Sequence, residues 1–246
     1  MVLQYLNDVS VAMLEFLQNF GRARSSTSQR KIFCIGYNKT GTTSVAKVLG
    51  DYGFRLPHQQ FQERMTTLAT WRNDYRPLKK LILSYDAFHD LPFSQGETYV
   101  ACDALFPDSR FILTVREPND WFDSLIRFDM KRYGWRSLDD ANEAFFLDKK
   151  HYLQKNYCYE GVAMMLRTAV GQATKVDWSL LYDRDHYIHR YSQRNEAIQR
   201  YFANRPEQLL VIDLGQETDT QRIRDFLGLR KAPVFPMPRL NTTREA

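Results

Sequence analysis

The sequence predicts an α/β fold in which a parallel sheet is flanked by helices. Three observations predict it. Short, nearly continuous apolar runs at 31–36, 110–115 and 208–213 have the pattern of strands buried on both faces. Segments with helical spacing of apolar residues alternate with these runs. The chain has 246 residues, 43 % hydrophobic and 26 % charged, enough for one domain with a large core and unlike a disordered, collagen-like or coiled-coil chain.

Each element has its own signal. Across 3–20, Leu3, Leu6, Val9, Met13, Leu17 and Phe20 lie at helical spacing, which predicts an amphipathic helix. Such a helix packs on the domain, joins a homodimer interface or touches a membrane surface. A polar connector follows, so the chain divides into an N-terminal helix and connector (1–30) and a single α/β domain (31–246). Lys31-Ile-Phe-Cys-Ile-Gly36 is the first strand, Tyr37-Asn-Lys-Thr-Gly41 a loop, and Thr42 opens a helix that ends near Gly53. A strand at 85–89 is stopped by Leu91-Pro92. After the strand at 110–115, Pro118 suits a first helical position, and Trp121, Leu125 and Phe128 form an apolar face. The stretch 127–205 reads as almost wholly helical and is rich in aromatics, most of them core and some lining a pocket. A strand at 208–213 and a helix over 219–227, ended by Gly228, complete the domain.

Thirty-four Lys and Arg against 29 Asp and Glu give a net charge of +5. That suits an anionic ligand, whereas the basic runs used on nucleic acid are missing. Cys34, Cys102 and Cys158 form no C-x-x-C pair, so neither a disulfide framework nor a structural zinc site is expected. His186 and His189 resemble a metal pair but lack a third ligand, so no metal is expected. Neither a secretory leader nor a membrane span is legible, and the expected location is cytoplasmic.

The stretch Gly36-Tyr-Asn-Lys-Thr-Gly41-Thr-Thr43 carries the chemistry. A glycine-bearing turn between a buried strand and a helix aims backbone N–H groups at one point, and the helix dipole adds to the attraction for an anion. Lys39 supplies a full charge, and Thr40, Thr42 and Thr43 supply hydroxyl donors. In the nucleoside-triphosphatase loop a lysine follows the second glycine; here it stands two residues before it. The charge thereby shifts from the β/γ-phosphates toward the first phosphate or its bridging oxygen. No apolar strand ends in an evident magnesium-binding aspartate, although Asp213 is a candidate.

Asn38-Lys-Thr-Gly-Thr-Thr43 resembles the 5′-phosphosulfate loop of the sulfotransferases that use 3′-phosphoadenosine 5′-phosphosulfate (PAPS). Phe111-Ile-Leu-Thr-Val-Arg116-Glu-Pro118, with Ser124 eight residues after the arginine, is similar to that family's 3′-phosphate element. The tail containing Phe226-Leu-Gly228 and Pro233-Val-Phe-Pro236 … Asn241 resembles its C-terminal segment. The resemblance implies a P-loop nucleotide-kinase-like three-layer architecture with a large helical insertion. It also implies that Asn38, Lys39, Thr40, Gly41, Thr42, Thr43 and Ser44 bind the 5′ end of PAPS, and Arg116 and Ser124 its 3′-phosphate. Arg116 follows a strand and Ser124 rides the next helix, so a guanidinium fork and a hydroxyl can meet one phosphate.

An acceptor hydroxyl or amine loses a proton as it attacks, so a base is expected. In cytosolic members of the family a histidine precedes Leu-Pro. Here Asp90 takes that position, with His89 one residue earlier, and neighbours on a strand point to opposite faces. Asp90 leads by position and His89 follows by intrinsic pKa. Ser44 stands where cytosolic members carry an adenine-stacking aromatic. Their glycine-rich 3′-phosphate segment is not recognisable, though Arg222, Arg224 and Arg230 lie nearby. The expected activity is metal-independent, in-line sulfuryl transfer to a small-molecule hydroxyl or amine. The alternatives are a small-molecule kinase using Mg-ATP and a non-catalytic nucleotide-binding protein.

Overall fold

A computed structural model of the chain describes residues 30–148, 153–170 and 173–240. The expected N-terminal helix lies outside them, as does Asn241. Strand β1 (Ile32–Cys34) leads through the loop to α1 (Thr42–Asp51), and two helices follow, α2 (Gln59–Trp71) and α3 (Arg76–Ser84). Then come β2 (Ala87–Phe88), α4 (Thr98–Leu105), β3 (Arg110–Val115) and α5 (Pro118–Tyr133). Glu117 caps α5 by accepting a hydrogen bond from the Asp120 N–H, Pro118 fills its first position, and Gly134 closes it at φ 70°. Next are α6 (Glu143–Asp148), α7 (Tyr157–Met165), β4 (Arg167–Val170), β5 (Ala173–Val176) and α8 (Arg184–Tyr201), and last β6 (Leu209–Asp213) and α9 (Gln221–Phe226).

Side-chain alternation along the strands builds the layers. Phe33, Ile35, Phe88, Phe111 and Leu113 point to one face, under α3, α4 and Ile198 and Phe202 from the α8 region. Ile32, Cys34, Ile112 and Ile212 point to the other, under Val45, Val48 and Leu49 of α1 and Ile223 of α9. A third cluster, with Trp121, Phe122, Tyr187 and Tyr191 at its centre, joins α5 to α8. The sheet is parallel in the order β2-β1-β3-β6. From β1 the chain goes outward to β2 and then crosses back to β3 on β1's other side. Loops leaving β1 and β3 therefore diverge, which opens a crevice at their carboxyl ends.

Two expectations change. The stretch 127–205 is not almost wholly helical, because β4 and β5 pair antiparallel with Arg167 opposite Val176. Thr168, Thr174 and Val176 supply the β-branched side chains such a hairpin favours. The strand expected at 85–89 is only two residues long. Among the described residues no helix is long and apolar enough to cross a membrane.

Candidate active site

The loop leaving β1 is held by close backbone contact. A Cβ on Gly36 would stand 1.9 Å from Thr114 Oγ1, so only glycine lets the loop leave the sheet against β3. Thr40 is buried, and its hydroxyl hydrogen-bonds the Tyr37 carbonyl (2.5 Å) and Thr114 Oγ1 (2.6 Å). Its N–H also donates to the Tyr37 carbonyl. Thr40 thereby stabilises the loop itself. Lys39 (φ 71°) and Gly41 (φ 96°) take left-handed conformations, and a Cβ on Gly41 would meet Leu214 Cδ1 at 2.4 Å. Asn38 is fixed from two sides: its Oδ1 accepts from Ser94 Oγ (2.9 Å) and its carbonyl from Trp121 Nε1 (3.0 Å).

Beyond Gly41, α1 starts with no side chain capping it. The N–H groups of Ser44 and Val45 donate to the Gly41 carbonyl, and the positive end of the helix dipole lies at the loop. Loop, α1 start, Arg116, Ser124 and Asp90 line one cavity of about 760 Å³. Lys39 Nζ lies 4.2 Å from the Phe128 ring centroid. Desolvation lowers its pKa foremost, Asp129 and Asp90 oppose this, and Arg116 and Arg127 add to it.

Arg116 is the first residue past β3. Glu117 is committed to the α5 cap, and among the described residues the Arg116 guanidinium makes no ion pair. Ser124 is buried on α5 and reaches the same cavity. Arg127, three residues later on that helix, lines it too, a signal legible as the i+3 neighbour of Ser124.

His89 and Asp90 lie just past the end of β2, outside the strand on which their alternation was expected. Asp90 (φ 57°) lines the cavity and accepts from Thr42 Oγ1 at 3.2 Å. Burial pushes its pKa up, against His89, Thr42 and Lys39. His89 is not a cavity residue. Its Nε2 lies 3.8 Å from Asp90 Oδ2, its Nδ1 is buried without a partner among the described residues, and burial pushes its pKa down. Of the two candidates, Asp90 is the one in contact with the cavity.

Further residues at the cavity carry no signal in the sequence. Glu63 on α2 is buried at the cavity wall, accepting from Gln59 Nε2 (2.8 Å) and the Tyr157 hydroxyl (3.0 Å), and burial raises it to about 7. Gln62 on the same helix donates to the carbonyls of His89 (2.5 Å) and Leu91 (2.8 Å), fixing the segment that carries Asp90. Arg239 also lines the cavity, brought there when the Leu240 N–H bonds Ser44 Oγ at 3.1 Å. Of the arginines expected near the C-terminus, Arg222 pairs with Glu217 and Arg224 with Asp225. Asp213 lines the cavity while its carboxylate accepts from the Gly215 N–H (2.8 Å) and Gln216 Nε2 (3.2 Å). His186 Nε2 bonds the Met165 carbonyl at 2.7 Å. The arrangement can hold an extended anion between α1 and Arg116 and accept a proton at Asp90.

Among family models, one described as "Sulfotransferase domain" matches residues 31–246. No curated protein matches the chain.

Proposed function

This chain belongs to the sulfotransferase-domain family, and from that premise we propose that it moves a sulfuryl group from PAPS to a hydroxyl or amine of a small-molecule acceptor. One observation carries the reading: Lys39, an uncapped helix N-terminus, Arg116 and Ser124 line a single cavity at the carboxyl ends of β1 and β3. Two phosphate-sized anion subsites on adjacent strands suit a nucleotide phosphorylated at both 3′ and 5′ positions.

PAPS supplies the sulfuryl group when bound. In the proposed roles, Lys39 and the first N–H groups of α1 hold the 5′ end and stabilise charge growing on the departing phosphate oxygen. Arg116 and Ser124 hold the 3′-phosphate, and Arg239 supplies the cation that the tail was expected to bring from elsewhere. Asp90 takes the proton from the attacking acceptor atom. Its raised pKa makes it a better base than an exposed aspartate. Glu63 and Tyr157 face the acceptor from the same cavity.

A thermal-shift comparison tests the reading. 3′-Phosphoadenosine 5′-phosphate without metal is expected to raise the melting temperature, and Mg-ATP at equal concentration to leave it unchanged. The opposite pattern would favour the kinase and overturn the proposal.

A further inference from the structure

Where β3 ends, the backbone of Arg116 has left the sheet ladder, since the last β3–β6 pair is Val115 with Asp213. A side chain takes over. The Arg116 N–H donates to the Tyr191 hydroxyl (2.8 Å), and that hydroxyl donates to the Arg116 carbonyl (2.9 Å). The phenol does for Arg116 what a neighbouring strand does for the residues before it. Tyr191 is buried, and its ring stacks on Trp121 with centroids 4.3 Å apart and planes 14° from parallel. Trp121 in turn donates through Nε1 to the Asn38 carbonyl in the loop after β1 (3.0 Å). One stacked pair therefore touches the backbone of both anion-binding segments.

We propose that Tyr191 is a positioning residue for donor specificity: it fixes the backbone that aims Arg116, and so sets the preference for a nucleotide bearing a 3′-phosphate. Trp121 performs the matching task for the 5′ loop. An arginine side chain has several free torsions, and a fixed backbone reduces the entropy lost when its guanidinium engages a phosphate. Without the phenol, a part-buried N–H and carbonyl at Arg116 lose their partner and the chain is less sharply held there. The inference rests on the PAPS reading, in which Arg116 meets the 3′-phosphate.

Calorimetric titration of the full chain with 3′-phosphoadenosine 5′-phosphate and with adenosine 5′-phosphate tests it. Wild-type protein is expected to bind the bisphosphate more tightly. Tyr191→Phe keeps the stack and removes the hydroxyl; it is expected to weaken the bisphosphate about tenfold while leaving the monophosphate within about twofold. Trp121→Phe is expected to weaken both nucleotides by the same factor. Equal losses for Tyr191→Phe would make the tyrosine merely structural and overturn the inference. So would an unequal loss for Trp121→Phe, which remains decisive should the tyrosine variant not fold. If the wild type itself shows no preference for the bisphosphate, the underlying donor reading fails instead.

Discussion

Glu63 has a carboxyl that burial holds at about 7 while its oxygens accept from Gln59 and Tyr157. Its folded-state pKa lies above the ordinary glutamate value. Between those two values the folded chain therefore binds more protons than the unfolded chain, and stability falls as pH rises through about 7. Glu63→Gln removes that charge. Relative to wild type it is expected to gain stability from pH 5 to pH 8, by at most about 3 kcal/mol, in denaturant titrations at the two pH values. A constant difference across that range would place the ionisation elsewhere. The same scale shows what local sequence could supply. Lys39, Arg116 and Asp90 were legible because loop, strand end and Leu-Pro neighbour each mark a position. Glu63 was not, since nothing in its own surroundings distinguishes it from a surface glutamate until Tyr157, 94 residues away, donates to it.

The loop, β3 and α1 act as one unit because Gly36 lets Thr40 and Thr114 come within hydrogen-bond distance. Gly36→Ala would drive a methyl group into the Thr114 side chain and backbone. It is expected to cost about 1–3 kcal/mol of stability by denaturant titration and to weaken nucleotide binding as the loop shifts. Full stability in that variant would mean that the loop does not sit on β3 as described. The parallel strands were readable because burial on both faces leaves nearly unbroken apolar runs. Helix α2 was not, and the reason is physical: Gln62, Glu63, Thr66, Thr67 and Thr70 form much of its buried face. A buried face built from polar residues gives no apolar stripe. The β4–β5 hairpin was lost for a related reason, because its exposed strand β5 packs no face whose periodicity could be read.

Across the whole molecule, the strand order β2-β1-β3-β6 makes separate sequence segments into one site. Segments around Lys39, Glu63, Asp90, Arg116 and Arg239 are distant in the chain, yet all reach the cavity at the carboxyl ends of the sheet. Lys39, Arg116, Arg127, Arg132 and Arg239 line that cavity beside Glu63, Asp90, Glu117, Asp120 and Asp213, so any attraction for an anion comes from where cations are placed rather than from an excess of charge. The tail reaches it through tertiary hydrogen bonds from Met237 to Thr218 and from Leu240 to Ser44, contacts that no local pattern announces. Mass spectrometry of small hydroxyl- and amine-bearing acceptors incubated with the protein and PAPS tests the proposed sulfuryl transfer. A product heavier by one sulfuryl group is predicted, with one 3′-phosphoadenosine 5′-phosphate released per product and little turnover in Lys39→Ala or Asp90→Asn. Phosphorylated product from ATP, with no sulfated product from PAPS, would contradict it.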